Sequence, residues 1–272
     1  MGKVLALANQ KGGVGKSTTA INLSACLAEL GKNVLVIDLD PQGNTSSGFG
    51  LEKGRQEHTI YDVISGEASL AEALVSLDQM REEMSTSTFL GLKRKKKAKI
   101  GNIDIVPANV DLAGAEVELI SSEESQGILK EALAEYRDQY DYVMIDCPPS
   151  LSILTINALT AADGVLVPIQ CEYYALEGLA QLLQTIDLVK DSLNPELQLQ
   201  GIIFTMYDSR NRLSTEVVEN VKENLPGKSY YTMIPRNVRL AEAPSYGQPI
   251  ILYDPRSTGA DAYRRLAKEV VK

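Results

Sequence analysis

A glycine-rich stretch near the amino terminus has the residue types that bind phosphate. Residues 10–18 read Gln-Lys-Gly-Gly-Val-Gly-Lys-Ser-Thr and lie between an apolar run at 4–8 and a helical pattern at 20–27. Glycines let a turn wrap around an anion with its N–H groups aimed inward, and the new helix adds the positive end of its dipole. Lys16 can then reach the outer phosphate oxygens, and the Ser17 hydroxyl can ligate Mg²⁺. The predicted nucleotide-binding residues are Lys11, Gly12, Gly13, Val14, Gly15, Lys16, Ser17 and Thr18.

The start of this stretch departs from the ordinary phosphate-loop pattern. Gln10 stands where that pattern has a glycine, and a second lysine, Lys11, lies inside the loop. Glycine-rich turns before helices are common, and one found alone is weak evidence of phosphate binding. Here an apolar strand, the turn and a helix follow one another directly, which is the context that favours a nucleotide site over a plain turn.

Aspartates follow two further apolar runs. Asp38 and Asp40 end the run that begins at Val34, and Asp146 ends the run that begins at Tyr142. In an open α/β sheet the loops at strand carboxyl ends line the ligand crevice, so these carboxylates are expected near the phosphates. Asp146 would support the Mg²⁺ shell opposite Ser17, and two prolines after it predict a rigid loop. The alternative for either Asp38 or Asp40 is a simple turn or cap residue.

Composition restricts the class of protein. The 272 residues are 44% hydrophobic and 23% charged, which is ordinary for a soluble globular protein. No apolar run approaches the roughly 20 residues of a membrane span, and the chain enters its first strand with no room for a signal peptide. The three cysteines are isolated from one another, as expected for reduced thiols in a cytoplasmic protein.

Strand and helix patterns alternate along the chain and predict one α/β domain over residues 1–272. The expected fold is doubly wound, with a mostly parallel twisted sheet flanked by helices. Helices are expected near 70–77, 152–162, 175–193, 213–224 and 260–271, and a strand is expected to close at 234–237. The pattern fails at about 80–100, where a lysine tract at 93–99 indicates a flexible polar insertion.

Charge is unevenly distributed. The net charge of −9 argues against DNA binding by the whole surface. Residues 205–272, however, hold 11 Lys/Arg against 8 Asp/Glu, so this part of the chain is locally positive.

Five stretches together resemble the ParA/Soj branch of the deviant Walker-A P-loop NTPases, the ParA/MinD superfamily. They span nearly the whole chain, and residues at about 80–100 look like an insertion relative to that family. The stretches are residues 9–18, 38–44, 146–150, 170–178 and 234–245.

The resemblance implies an ATPase that uses ATP and Mg²⁺ and works as an ATP-dependent homodimer. Lys11 of one subunit would reach phosphates bound by the other, and Lys16 would hold those of its own subunit. Asp40 would orient the attacking water, and Ser17, Asp40 and Asp146 would form the Mg²⁺ site, the aspartates through water. The implied adenine contacts are Met206, Pro235 and Asn237.

The resemblance also implies a partitioning function for a chromosome or plasmid. The ATP-bound dimer would bind double-stranded DNA without sequence preference, associate with the nucleoid and respond to a ParB/Spo0J-type partner. Asp187 stands where relatives often carry arginine, and the 93–99 tract is a hypothetical substitute. The candidate DNA-binding residues are Lys190, Lys222, Lys228, Arg236 and Arg239.

Three other protein classes can be distinguished from a partitioning ATPase by features of the sequence. A MinD-like membrane-cycling ATPase needs an amphipathic carboxyl-terminal helix with bulky apolar anchors, and residues 264–272 offer few. A nitrogenase-iron-protein-like reductase needs cluster-binding cysteines, whereas Cys147 and Cys171 look like packed thiols. A DNA-binding scaffold that uses ATP only as a dimerisation ligand would not need Lys11, Lys16, Asp40 and Asp146 together.

Overall fold

One sheet organises the protein. The computed structural model describes residues 2–77, 101–119, 123–172, 175–228, 230 and 232–272, so the predicted insertion at about 80–100 lies outside the described residues. Within them, seven strands form a sheet in the order β3-β4-β2-β5-β1-β6-β7. Every neighbouring pair is parallel except β3 with β4. The strands are β1 (Lys3–Leu7), β2 (Val34–Asp38), β3 (Val75–Ser76), β4 (Ile103–Val106), β5 (Tyr142–Asp146), β6 (Gly164–Gln170) and β7 (Gln198–Thr205).

Helices cover both faces of this sheet. They are α1 (Lys16–Glu29), α2 (Asn44–Gly48), α3 (Ile60–Ser65), α4 (Leu70–Ala73), α5 (Leu112–Leu119), α6 (Ile128–Leu133), α7 (Ile153–Ala161), α8 (Ala175–Ser192), α9 (Arg212–Asn224), α10 (Val238–Glu242), α11 (Ile250–Tyr253) and α12 (Thr258–Val270). Short 3₁₀ turns lie at Glu123–Gln126, Arg137–Gln139 and Ala243–Tyr246.

Alternate strand residues supply two separate cores, because successive side chains of a strand point to opposite faces. In β1, Val4 and Ala6 pack on the face covered by α3 to α9, whereas Leu5 and Leu7 pack on the face covered by α1 and α10 to α12. The continuous apolar runs of the sequence are therefore strands buried on both faces. The predicted doubly wound α/β fold is confirmed.

Three loops meet at one edge of the sheet. Strand β5 lies between β1 and β2, with Asp146 in register with both Leu7 and Asp38. The glycine-rich loop after β1 and the acidic loops after β2 and β5 therefore leave the sheet side by side, as expected for a ligand crevice at strand carboxyl ends.

Short elements differ from the sequence predictions. The predicted helix at 70–77 ends at Ala73, and the chain then forms β3 against β4. The predicted strand closing at 234–237 appears as an isolated parallel bridge between Tyr207 and Pro235, in which the Tyr207 N–H donates to the Ile234 oxygen at 3.0 Å and the Arg236 N–H donates to the Tyr207 oxygen at 3.2 Å. Helix α2 begins at Asn44, four residues after Asp40, where the sequence pattern predicts no helix.

Candidate active site

The loop between β1 and α1 has the backbone shape that its glycines allow. Gly13 and Gly15 have φ values of 74° and 89°, a left-handed region that side chains rarely adopt. Gly15 begins α1, and no side chain among the described residues caps this end of the helix. Its first N–H groups are therefore available to an anion, in the arrangement that binds phosphate.

Lys16 lies inside this loop. Its side chain is buried, and Nζ donates to the backbone oxygens of Asn9 at 3.0 Å and Lys11 at 3.4 Å. Asn9 is itself fixed by a 2.7 Å hydrogen bond from Nδ2 to the Pro168 oxygen. Burial lowers the pKa of the Lys16 ammonium, and the negative charges of Asp146 and Asp40 oppose this shift. A positive group is thus held where the loop would surround phosphates.

Lys11 occupies a different environment. Its Nζ lies 2.9 Å from Glu172 Oε2, and the two side chains are 40% and 47% exposed. The second oxygen of Glu172 accepts a 2.5 Å hydrogen bond from Gln170 Nε2 at the end of β6. The two lysines of one loop are therefore separated, with Lys16 directed into the loop and Lys11 paired at its outer edge.

Two aspartates face each other across β2 and β5. Asp38 accepts hydrogen bonds from the Ser46 backbone N–H at 2.7 Å and the Ser46 hydroxyl at 2.6 Å. Asp146 Oδ2 accepts a 2.7 Å hydrogen bond from the Thr45 hydroxyl. Burial, together with the Asp146 charge, raises the pKa of Asp38 to about 7. Burial raises the pKa of Asp146 to about 6, against hydrogen bonds from Thr45 and Ser17 and the charge of Lys16.

Asp40 lies in the loop between β2 and α2. Its Oδ1 accepts the Gln42 N–H at 2.9 Å, and its backbone N–H donates to Asp38 at 3.3 Å. Only 6% of the residue is exposed. Asp40 is thus both a turn residue and a carboxylate close enough to influence Lys16, so the two alternatives drawn from the sequence are compatible.

The residues predicted to hold Mg²⁺ fit that ion. Asp146 Oδ1 is fully buried without a well-aligned hydrogen-bond partner among the described residues, and the Ser17 hydroxyl approaches this carboxylate closely enough to lower its pKa. Oxygen ligands of this kind suit Mg²⁺, which keeps several waters and uses one or two carboxylates plus phosphates. Accordingly, the described residues hold no cluster of three or more His, Cys, Asp or Glu side chains that could form a metal site alone.

The predicted adenine contacts gather at the end of β7. Met206 has a φ of 50°, the one described residue other than glycine with positive φ, and Tyr207 next to it bridges to Pro235. Asn237 caps α10 by accepting the Arg239 N–H at 2.8 Å, and it donates to Thr258 at 2.7 Å. Gly15 lies beside Thr205 at the same strand end, so this region adjoins the phosphate loop.

Comparison with known proteins identifies the family. A family model described as an AAA domain matches residues 2–199. The sporulation initiation inhibitor protein Soj of Bacillus subtilis is 51% identical over 270 residues, covering 99% of this chain and 98% of that protein. The chromosome partitioning protein ParA of Caulobacter vibrioides is 48% identical over 271 residues, covering 99% and 94%. The chain belongs to the ParA/Soj family of chromosome-partitioning ATPases.

A solved structure adds a nucleotide-bound relative of this ParA/Soj protein. Cobyrinic acid a,c-diamide synthase from Mycobacterium smegmatis, with bound ADP and magnesium, has a TM-score of 0.80 and 37% identity, covering 100% of this chain and 94% of that one. The ParA/Soj resemblance drawn from the motifs is confirmed, as is the ATPase class.

The basic residues predicted to bind DNA lie in several different parts of the fold. Lys190, Lys222 and Lys228 are exposed on α8, on α9 and after α9. Arg236 and Arg239 instead lie near the predicted adenine contacts, where Arg239 pairs with Glu242 at 2.8 Å and Asp254 at 3.6 Å. The lysine tract at 93–99 lies outside the described residues.

Three contacts of the site were not predicted. Glu172 pairs with Lys11, Thr45 donates to Asp146, and the Thr205 hydroxyl reaches the oxygens of Val14 at 2.8 Å and Ile169 at 3.0 Å. Glu172 lies within the stretch at 170–178 that carries the family resemblance, whereas Thr205 lies outside all five stretches and was expected only at the strand end that the resemblance assigns to adenine. Thr45 follows such a stretch and is an ordinary helix-start residue by type.

Proposed function

We propose that this ParA/Soj protein closes as a homodimer over two ATP–Mg²⁺ molecules and binds double-stranded DNA without sequence preference in that state. A ParB/Spo0J-type partner stimulates hydrolysis and so releases the dimer, which moves a chromosome or plasmid over the nucleoid in the cytoplasm. The observation that carries this proposal is the separation of the two loop lysines, one buried within the loop and one half-exposed at its edge.

The separation assigns different phosphates to the two lysines. Lys16 is buried between backbone oxygens of its own loop, so it serves the nucleotide of its own subunit. Lys11 ends at the protein surface and can exchange Glu172 for a phosphate brought by a second copy. A half-exposed ion pair contributes roughly 0–1 kcal/mol, so giving it up costs little. Nucleotide binding and dimerisation then become one event.

The remaining site residues support hydrolysis. Mg²⁺, when bound, would neutralise phosphate charge, and the residues that would hold it are Ser17 and Asp146 with Asp40 nearby. In phosphoryl transfer the protein mainly positions groups and stabilises charge, so two lysines and a carboxylate that orients water are a sufficient set. This set favours an ATPase over a scaffold that binds ATP without hydrolysing it.

The carboxyl-terminal helix argues against the MinD-like alternative. Its apolar residues Ala262, Tyr263 and Leu266 are buried, and the Tyr263 hydroxyl lies 3.1 Å from the Thr19 hydroxyl of α1. Helix α12 therefore already uses its apolar face within the fold and does not present it to a lipid surface. None of the described helices is long and apolar enough to cross a membrane.

Single substitutions of the two lysines test the proposal. We expect Lys11→Ala to bind ATP through Lys16 but to lose dimerisation, DNA binding and hydrolysis together, whereas Lys16→Ala loses ATP binding itself. Nucleotide affinity, light scattering with ATP and retention of unrelated double-stranded DNA measure these steps. Lys130→Ala, an exposed lysine on α6, is the matched control. Full dimerisation of Lys11→Ala would contradict the proposed switch.

Turnover measurements separate the partitioning ATPase from the alternatives. ATP hydrolysis is measured alone, with DNA, with a ParB-type partner and with both. We expect the largest rate when DNA and partner are present together. A rate that no combination raises would count against partitioning, and retention on anionic lipid vesicles with ATP in place of DNA would favour the membrane-cycling alternative.

A further inference from the structure

Thr45 joins the two acidic loops of the site. Its side chain is fully buried at the start of α2, and its hydroxyl donates to Asp146 Oδ2 at 2.7 Å. Asp146 ends β5, 101 positions further along the chain. A buried threonine in a helix has few accessible rotamers, so this contact fixes the direction of its hydroxyl.

The contact determines which oxygen of Asp146 stays free. Oδ2 is occupied by Thr45, whereas Oδ1 is buried without a well-aligned partner among the described residues. Because the carboxylate is planar, a fixed Oδ2 also fixes where Oδ1 points. The side chains that influence Asp146 include Ser17 and Lys16 of the phosphate loop. Oδ1 is thus the oxygen left to face the metal shell.

The loop that holds Asp40 is fastened to Asp146 at both ends. At its start, the Leu39 N–H donates to the Asp146 backbone oxygen at 2.9 Å. At its end, Thr45 holds the Asp146 side chain. Between these points the backbone forms a turn that begins at Asp40, whose backbone oxygen accepts the Gly43 N–H at 2.8 Å. Asp40 and Asp146 therefore cannot shift independently while the Thr45 hydroxyl bond persists.

We infer that Thr45 is a positioning residue that aims Asp146 Oδ1 at the Mg²⁺ site and couples it to the Asp40 loop. The inference rests on the proposed function, since it concerns the same site. Without the hydroxyl, the Asp146 carboxylate loses the donor on Oδ2 and is free to rotate, so Oδ1 is no longer held in the one orientation from which it would support the Mg²⁺ site. The consequence is a weaker contribution of Mg²⁺ to nucleotide affinity.

Four variants test this role without relying on activity. Thr45→Val removes the hydroxyl at constant shape, Thr45→Ala removes it without a new methyl group, and Thr45→Ser keeps it. Thr59→Val is the matched control, because the Thr59 hydroxyl also donates to a carboxylate, Asp62 at 2.9 Å in α3, away from the site. Circular dichroism establishes that each variant is folded, and calorimetry measures ADP affinity with Mg²⁺ and with EDTA.

The readout is the ratio of ADP affinity in Mg²⁺ to that in EDTA. We expect this ratio to be about tenfold lower in Thr45→Val and Thr45→Ala than in wild type. A tenfold change corresponds to about 1.4 kcal/mol, which is the size expected for one hydrogen bond to a charged group. Thr45→Ser and Thr59→Val should keep the wild-type ratio within about threefold.

Other outcomes overturn the inference. An unchanged ratio in both hydroxyl-free variants contradicts it, and so does an equal loss in Thr45→Ser or Thr59→Val, which would indicate a general packing effect. If Thr45→Val does not fold, Thr45→Ala decides the matter. If Mg²⁺ does not raise the ADP affinity of the wild-type protein, the proposed function is contradicted. This result differs from a failure of the Thr45 inference alone, in which wild type responds to Mg²⁺ and the variants respond equally.

Discussion

The half-exposed pair between Lys11 and Glu172 sets the resting position of the second loop lysine. Its geometry is close at 2.9 Å, and Gln170 orients Glu172 from the other side. Exposed pairs of this kind are weak because water screens them and two long side chains must be ordered. Breaking the pair therefore costs little free energy, so Glu172 only weakly opposes the proposed contact of Lys11 with a phosphate in the second subunit.

Removing the charge of Glu172 tests this barrier. We expect Glu172→Gln to lower the ATP concentration for half-maximal dimerisation by about 2- to 5-fold, because less than about 1 kcal/mol of pairing is lost from the monomer. Light scattering during an ATP titration measures it. Glu177→Gln, an exposed acidic residue on α8, makes the same charge change nearby and should have no such effect. Weaker dimerisation of Glu172→Gln would mean that Glu172 supports the closed state instead.

Residue types and spacing predicted side chains that meet at one edge of the sheet but did not predict the partners of those side chains. Lys16, Asp40 and Asp146 could be predicted because each ends or follows a recognisable run. Their neighbours could not, since Thr45 meets Asp146 across 101 positions and Lys11 meets Glu172 across 161. Contacts of this range depend on strand order, which the alternation of elements does not specify.

At the level of elements, β7 supports the phosphate loop from the side. The Thr205 hydroxyl at its end reaches the Val14 oxygen of the loop and the Ile169 oxygen of β6. Thr205 and Val14 are both buried, so no water substitutes easily for this hydroxyl. The loop shape thus depends on a strand residue 191 positions away along the chain, in addition to the glycines of the loop.

Thr205→Val tests this support at constant side-chain shape. We expect a loss of about 1–3 kcal/mol in the free energy of unfolding, because a buried carbonyl oxygen loses its donor, together with weaker ADP binding. Urea unfolding with and without Mg²⁺–ADP measures both effects. Thr205→Ser should keep the wild-type stability and ADP affinity. Thr185→Val, which removes an exposed hydroxyl bond within α8, should have a free energy of unfolding within about 0.5 kcal/mol of wild type. Normal ADP affinity in Thr205→Val would show that the glycines alone shape the loop.

Long elements were predicted well and short ones poorly, for a physical reason. Helices such as α8 and α9 and the buried strands extend over enough residues for their periodicity to be read. Helix α2 and strand β3 have five and two residues, and their formation depends on tertiary partners such as Asp38, Asp146 and β4. The Asp40 loop is therefore organised by the fold more than by its own sequence.

For the whole molecule, two buried carboxylates at the centre of the sheet edge carry an electrostatic cost. Asp38 and Asp146 are fully buried on neighbouring strands and repel each other when both are ionised. The fold accepts this cost because Ser46, Thr45 and the Lys16 charge partly compensate it. A site that is destabilised without ligand is relieved when positive charge enters, so nucleotide with Mg²⁺ should stabilise the protein beyond its binding contacts.

The nucleotide-free protein should therefore lose stability as pH rises from about 5 to 8. An unfolded aspartate has a pKa of about 4, whereas burial raises the pKa of Asp38 to about 7, so the folded state holds an extra proton from about pH 5 and loses it as the pH passes about 7. With more protons bound when folded, the free energy of unfolding falls with rising pH, by at most about 1.4 kcal/mol per pH unit from Asp38 alone, and levels off above the folded pKa. Urea unfolding in a buffer series measures this slope. We expect Asp38→Asn, which keeps an oxygen for Ser46, to reduce the fall in unfolding free energy between about pH 5 and 8 by about 2 kcal/mol. Asp191→Asn on α8 should show the same pH dependence as the wild-type protein. If the unfolding free energy of Asp38→Asn falls with pH as steeply as that of the wild-type protein, the buried pair is not the source of the pH dependence.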